Sequence, residues 1–448
     1  MTPPAALESL LDGLDDELTA WRGLTVGEKA PLEKHHSQLR SVRAMLSEGI
    51  AAARVELATG SGAAGLPVLI LDLHHVWDYF RSKFALRRLD EYRGYLDAAD
   101  ELAWTCYEGP LEAALGTGGM RPKEPPLVSF SRDPAPRAHR RGGQYRDLLP
   151  RGGMHTRAGV QLVHSLPFPV IDVPWYYASH VPAVLTVAHE VGHHIEDDFG
   201  LTGTIARRLA GTSLPEAWAG EVFADVCASL ACGVAYPAVL AEVLGTLGPE
   251  QEGDSQELSS PHPPLDTRLR ICRAALDLAG HERPNMWPAP IAEALADDTD
   301  PSSTRVAAAL LDDGYPQLAG RRLPDLLPST PACRLHADRL LAGMPSGLSH
   351  VPGVFAAASL AFLTCPAEYR ALRVGTRAVS EALALRPEGP RAGRPDAEPN
   401  GQQGTTAGGQ LLRALRAGVT DEKADTEEGT GTEDGPGTDL RPPPHAGP

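Results

Sequence analysis

What the chain has little of narrows its class first. Its six cysteines in 448 residues, Cys106, Cys227, Cys232, Cys272, Cys333 and Cys365, form no C-x-x-C pair, which argues against a cysteine-built zinc site and against a disulfide framework. They read as reduced core thiols. No apolar run is long enough to span a bilayer, since the longest nearly uncharged stretch, Val226 to Ala241, is short and is interrupted by Pro237. The segment from Met1 to Ala20 carries acids where a secretory signal has a basic n-region, and it lacks an apolar h-region. A cytoplasmic protein with no membrane partner is therefore expected. Basic residues are also in deficit: 41 Lys and Arg against 58 Asp and Glu give a formal net charge of -17. This disfavours nucleic acid as a partner, although acids near the C-terminus supply part of the excess.

What is present suggests several helical segments around one chemical site. Leu7, Leu10, Leu11, Leu14, Leu18 and Trp21 recur at helical spacing, and a second periodic segment runs from Pro31 to about Leu57. After a Gly-rich turn from Thr59 to Gly65, Leu69, Leu73, Val76, Phe80 and Phe84 mark a third helix, whose stripe continues through Leu89, Tyr92, Leu96 and Ala99. Residues 1–117 are thus predicted to form a helical bundle that serves as a scaffold. Residues 118–157 are rich in Pro and Gly and hold nine Lys or Arg against three acids, the composition of a basic linker or loop. Within them Leu127-Val-Ser-Phe reads as a short strand, and Phe168 to Val173 reads as a better one. Towards the C-terminus helices are predicted at Val306–Leu311, Val354–Leu363 and Val374–Leu385, within a helical part, 291–386, packed on the catalytic core. The acidic, Pro- and Gly-rich stretch 387–448, with one apolar patch at Leu411, Leu412 and Leu415, reads as a disordered tail.

The chemistry concentrates in Ala188-His189-Glu190-Val191-Gly192-His193-His194, which contains H-E-x-x-H. On a helix His189 and His193 share a face and can bind one metal ion, with Glu190 beside it. Pro182 suits a first helical turn, and Val184, Val187, Val191 and Ile195 form a stripe that would sink the helix into a core. Gly192 costs about 1 kcal/mol of helix propensity relative to Ala, explicable if a neighbouring backbone or a substrate passes close. Ser213-Leu-Pro-Glu216 reads as a capping box announcing a second helix. On it Glu221 and Asp225 lie four apart among apolar residues, so Glu221 can complete the coordination while Asp225 accepts the remaining ring N–H of a ligand histidine. His194 points about 100° away round the helix and is expected beside the site or at the surface. The His35-His36 and His74-His75 pairs fall in predicted helices, where sequence neighbours do not face one another, and are not expected to form a second metal site.

Glu221-Val-Phe-Ala-Asp225 after H-E-x-x-H resembles the arrangement of gluzincins, zinc peptidases whose third ligand is a glutamate on a following helix. Ser260-Pro-His262-Pro263-Pro-Leu-Asp-Thr-Arg268 is similar to the H-P-x-x-x-x-R segment of the CAAX prenyl protease and HtpX-like peptidases. The resemblance covers about residues 160–280 and departs from that family in two ways: the chain has no membrane helices, and Glu221 follows His193 by only 28 positions. It implies an α+β, mostly α-helical chain with a zincin-like catalytic domain at 158–290, built of a small sheet and an active-site helix and flanked by helical segments. It further implies one Zn2+ per chain held by His189, His193 and Glu221, with Glu190 as general base. Asp225 and Arg268 would lie around the ligands and His262 would stabilise the transition state, with Tyr176 or Tyr177 in reserve. The expected activity is zinc-dependent hydrolysis of a peptide or protein substrate. The alternatives are an effector or toxin-like protein whose N-terminal helices bind a regulatory partner that controls the zinc site, and a non-catalytic metal-binding scaffold. Retention of Glu190, which no structural zinc needs, counts against the scaffold.

Overall fold

Leucines and aromatics at helical spacing build α1 (Pro4–Gly23), α2 (His36–Thr59) and α3 (Leu66–Ala85). Leu11 and Leu14 of α1, Val42 and Leu46 of α2, and Leu73 and Phe80 of α3 close on one another as a first core. The stripe expected to run on through Leu89 is broken, because Leu86–Arg88 tightens into a 3-10 turn and Leu89 is extended, with ψ 117°. A separate helix, α4 (Asp90–Leu115), sets off from there. Its buried Leu96, Leu102 and Tyr107 belong to a second, larger core. Residues grouped by sequence as one bundle, 1–117, thus divide their apolar side chains between two cores.

The computed structural model describes residues 4–27, 30–60, 65–118, 124–133, 135–139, 167–247, 262–281, 301–328, 334–391, 409 and 411–412. Most of the basic stretch 118–157, Ser260 and Pro261, Cys333, Leu415 and most of the tail expected to be disordered lie outside the described residues.

Between the two cores stands a three-stranded sheet of β1 (Leu127–Ser131), β2 (Arg137–His139) and β3 (Val170–Pro174). The order is β1-β3-β2, with β1 parallel and β2 antiparallel to β3. β1 and β3 fall on the two stretches read as strands, whereas β2, Arg-Ala-His, has no apolar alternation to announce it. Because side chains alternate across a strand, Leu127 and Val170 enter the first core while Val128, Phe130, Ile171 and Val173 enter the second. On the first face Asp172 receives Lys83 Nζ of α3 at 2.6 and 2.8 Å and His139 Nε2 at 3.1 Å. The outer edge of β1 is buried too, and an ion pair satisfies it. Asp100 accepts from the Val128 N–H at 2.8 Å, Arg87 donates to the Val128 carbonyl at 2.6 Å, and Arg87 Nη2 meets Asp100 at 2.5 Å.

The larger core continues through α5 (Thr186–Asp198), α6 (Thr202–Leu209), α7 (Ala219–Cys232), α8 (Ala235–Leu247) and α9 (Leu265–Leu278). It is completed by α10 (Pro301–Leu311), α11 (Arg334–Leu341), α12 (Val351–Thr364), α13 (Pro366–Ala371) and α14 (Val374–Ala384). The described residues are therefore mostly helical with one small sheet, as the patterning implied. α12 is buried on every side from Val351 to Ala361 and packs against α4, α8, α11 and α14, which fixes the position of the chain before the site helix. Among the described residues no helix is long and apolar enough to cross a membrane.

After α14 the chain returns to the first helices. Lys34 Nζ donates to the carbonyls of Pro387 and Gly389, Arg391 Nη2 meets Glu101 at 2.9 Å, and Arg386 lies 3.6 Å from Asp97. Leu411 is buried in the first core, and Leu412 packs against it. The stretch read from composition as disordered from 387 onward is thus placed at 387–391, where the Lys34 ammonium takes its carbonyls, and at these two leucines, which join the first core.

Candidate metal centre

A 3-10 turn, Val181–Leu185, feeds α5, with Pro182 in its first turn. Val184, Val187, Val191 and Ile195 are all buried, so the predicted stripe anchors α5 and presents His189 and His193 one turn apart. Gly192 has a structural reason: a Cβ there would lie 2.6 Å from Ala224 Cα and 3.0 Å from Ala224 Cβ. The backbone of α7 crosses at that point, so of the two explanations the neighbouring backbone is the one observed. This approach carries Glu221, one turn before Ala224, to the two histidines. The capping box does not form. Glu216–Trp218 is a 3-10 turn, α7 starts at Ala219 without a side-chain cap, and Ser213 Oγ instead lies 2.6 Å from Ser302 Oγ.

Three side chains converge. His189 Nε2 and His193 Nε2 are 3.2 Å apart, His189 Nε2 is 3.4 Å from Glu221 Oε2, and His193 Nε2 is 3.3 Å from Glu221 Oε1. These atoms are close enough together to hold a metal ion. Burial opposes charge on His189 and Glu221, yet charge prevails on both. Hydrogen bonds to Asp225 and Glu221 lift His189 to a pKa of about 10, and the two histidines hold the Glu221 carboxyl well below the usual range. Burial is likewise outweighed at Asp225, which Arg268 and His189 hold low. Glu221 and Asp225 against the single guanidinium of Arg268 leave a negative charge in the centre, which a proton or a metal cation on the imidazoles balances.

Around these three side chains stands a hydrogen-bonded shell. His189 Nδ1 donates to Asp225 Oδ1 at 2.9 Å, which leaves the Nε2 lone pair for the cluster. Arg268, in the first turn of α9, clamps Asp225 with Nε on Oδ2 and Nη2 on Oδ1, both at 2.7 Å. Sequence reasoning missed Tyr236. Its hydroxyl donates to Asp225 Oδ1 at 2.6 Å and lies 3.1 Å from His189 Nδ1. A tyrosine inside the apolar run Val226–Ala241 was the available signal, because a buried phenol needs a partner. Gly233 makes the contact possible: at φ 61°, ψ -151°, a region open essentially to glycine alone, it reverses the chain so that the start of α8 folds back over α7.

The remaining predicted residues take varied places. His262 is exposed, with Nε2 3.7 Å from Glu221 Oε1, and so overlooks the cluster from the solvent side. Glu190 is buried next to His189 on α5. Tyr177 is buried near it, and its phenol is pushed up first by burial and then by Tyr176, Glu190 and Glu242. Tyr176 is largely exposed, edge-on to Tyr177. Of the two places expected for His194, beside the site or at the surface, the surface is excluded: the side chain is buried, because α5 is enclosed on that side as well. A second group, His35, Asp97 and Asp100, also has ligand-type atoms in range. It is a poor cation site, since Arg87 already occupies Asp100 and His35 Nδ1 is engaged by Gln38 Oε1 at 2.7 Å.

No protein-family model, no curated protein and no solved structure matches the chain. The site is accordingly read from its own chemistry.

Proposed function

We propose that the chain is a zinc-dependent endopeptidase of the gluzincin kind, with a zincin-like catalytic domain that needs no membrane helices. The observation that carries this reading is the convergence of His189 Nε2 and His193 Nε2, 3.2 Å apart, on the Glu221 carboxylate, whose Oε2 lies 3.4 Å from the first and whose Oε1 lies 3.3 Å from the second. Ligand atoms bound to one tetrahedral zinc at about 2.0–2.1 Å lie about 3.3 Å from one another, so the 3.2 Å spacing of the two imidazole nitrogens fits zinc in size and the donor set fits it in type. Two imidazoles and one carboxylate are the protein ligands of known catalytic zinc sites. Bound zinc supplies Lewis acidity, acidifying a water toward a pKa of ~7 and polarising a peptide carbonyl.

The chain's own groups divide the rest of the work. Glu190, on the same helix as the ligand histidines, takes the proton of the attacking water and returns it to the leaving amine. His262 overlooks the cluster and donates to the oxyanion that develops on the carbonyl, with Tyr177, whose phenol feels the Glu190 charge, or Tyr176 in reserve. Asp225, Arg268 and Tyr236 hold His189 in the tautomer that presents Nε2.

Zinc per chain and hydrolysis of a peptide library, measured for the wild type, Glu190→Gln and Glu221→Ala, test the reading. Glu190→Gln is expected to keep the metal and lose activity, and Glu221→Ala to lose both. An active Glu190→Gln chain, or a folded wild type that takes up no zinc, overturns the proposal.

A further inference from the structure

Asp225 Oδ1 receives three donors at once: His189 Nδ1 at 2.9 Å, Arg268 Nη2 at 2.7 Å and Tyr236 Oη at 2.6 Å. Oδ2 is taken by Arg268 Nε at 2.7 Å. With its lone-pair sites filled and a guanidinium alongside, this carboxylate cannot swing, and His189 is held from both sides of its Nδ1 edge by Asp225 and by the phenol. The Tyr236 and His189 rings lie near parallel, 12° apart, so the aromatic plane limits tilting of the imidazole as well. Among the described residues nothing comparable supports the other histidine of the cluster, His193, whose Nδ1 is buried without a hydrogen-bond partner. The rigidity of the centre therefore rests on the His189 side.

We propose that Tyr236 is a positioning residue for the metal centre: through Asp225 and against the Nδ1 edge of His189, it fixes the ring whose Nε2 faces His193 Nε2 and the Glu221 carboxylate. The inference rests on the metal-centre reading above. Tyr236 touches no reacting atom, so its effect falls on metal retention before it falls on chemistry. Supporting groups of this kind typically contribute ten- to a hundred-fold in metal affinity.

The full-length protein provides an internal control. Tyr107 is another buried phenol in the same core, and its Oη donates to Asp198 Oδ2 at 2.6 Å on the far end of α5. Tyr107→Phe thus removes the same kind of phenol–carboxylate bond, here from the helix that carries His189 and His193, without touching those side chains. Zinc dissociation constants by chelator competition, the visible spectrum of the Co2+-loaded protein, and thermal melting of the metal-free chain are compared for wild type, Tyr236→Phe and Tyr107→Phe. Tyr236→Phe is expected to bind zinc about ten-fold or more weakly, with an altered Co2+ spectrum, while Tyr107→Phe lowers melting alone. Equal zinc affinity and an unchanged spectrum in Tyr236→Phe overturn the proposal, as does an equal loss of affinity in both variants. A wild type that binds no metal is a different failure, since it removes the centre itself and the proposal with it.

Discussion

Gly192→Ala sets two effects of opposite sign against each other. Helix propensity alone favours Ala in an α-helix by about 1 kcal/mol. The new methyl, however, would lie 2.6 Å from Ala224 Cα and 3.0 Å from Ala224 Cβ, where carbon atoms normally rest about 3.5–4.0 Å apart. No flexible side chain can yield there, because the obstacle is the α7 backbone, so α5 and α7 must separate by on the order of 1 Å. Overpacking of this kind costs typically about 1–3 kcal/mol. The contact lies toward the severe end, so a net destabilisation of roughly 1–2 kcal/mol is expected after the propensity gain is deducted. The same separation draws Glu221 away from the histidines, so zinc affinity falls as well. Gly203→Ala in α6 is the reference, because a Cβ there meets nothing within 4 Å and only the propensity gain applies. Denaturant midpoints of the two metal-free variants, together with zinc competition, decide the matter. A Gly192→Ala chain as stable as Gly203→Ala, with unchanged zinc affinity, would refute the account of the helix crossing.

Two further predictions concern the polar contacts between the cores. Arg87→Met leaves the Asp100 charge and the Val128 carbonyl buried without their donor, and breaking such a pair costs about 3–5 kcal/mol, readable as a lowered urea midpoint. Close by, burial and then Arg87 lower the His35 pKa from 6.5 to about 3, while burial raises Asp97 from 3.8 to about 6. Folding therefore expels a proton at His35, and its contribution is lost as pH falls below 6.5. Asp97 has the opposite sign: its contribution is present below 3.8 and lost as pH rises through about 6. Between about pH 4 and 6 the two slopes, each ~1.4 kcal/mol per unit, cancel. His35→Gln should gain stability relative to wild type as pH drops across that window, whereas parallel urea-unfolding profiles at pH 6 and 4.5 would show the assignment to be wrong.

The helices and the ligand triad were legible because each rests on local rules. A 3.6-residue stripe marks α1, α5 or α14 whatever the rest of the chain does, and H-E-x-x-H with Glu221 and Asp225 four apart fixes relative placement within single helices. Two features failed for a shared reason. Ser213 and Glu216 satisfied a capping pattern, yet Ser302, distant in sequence, captured the serine. Leu89 satisfied a stripe, yet the chain turned there to let α4 join another core. Tyr236 was hidden because its partners, Asp225 and His189, lie across a glycine turn that no spacing rule describes. Gly192 shows the intermediate case: its cost was visible in the sequence, but only the crossing of α7 shows what it admits.

The return of the C-terminal chain has a consequence for synthesis. Lys34 finds two of its carbonyl acceptors in residues made 353 and 355 positions later, and the first core accepts Leu411. Domains built from the N-terminus usually close as they emerge from the ribosome. Here the first helices are the last to be finished: a nascent chain that has already paired His189 with Glu221 still lacks the carbonyls that seal Lys34. A truncation just before 387 would thus spare the His189, His193 and Glu221 cluster and leave the opening helices incomplete.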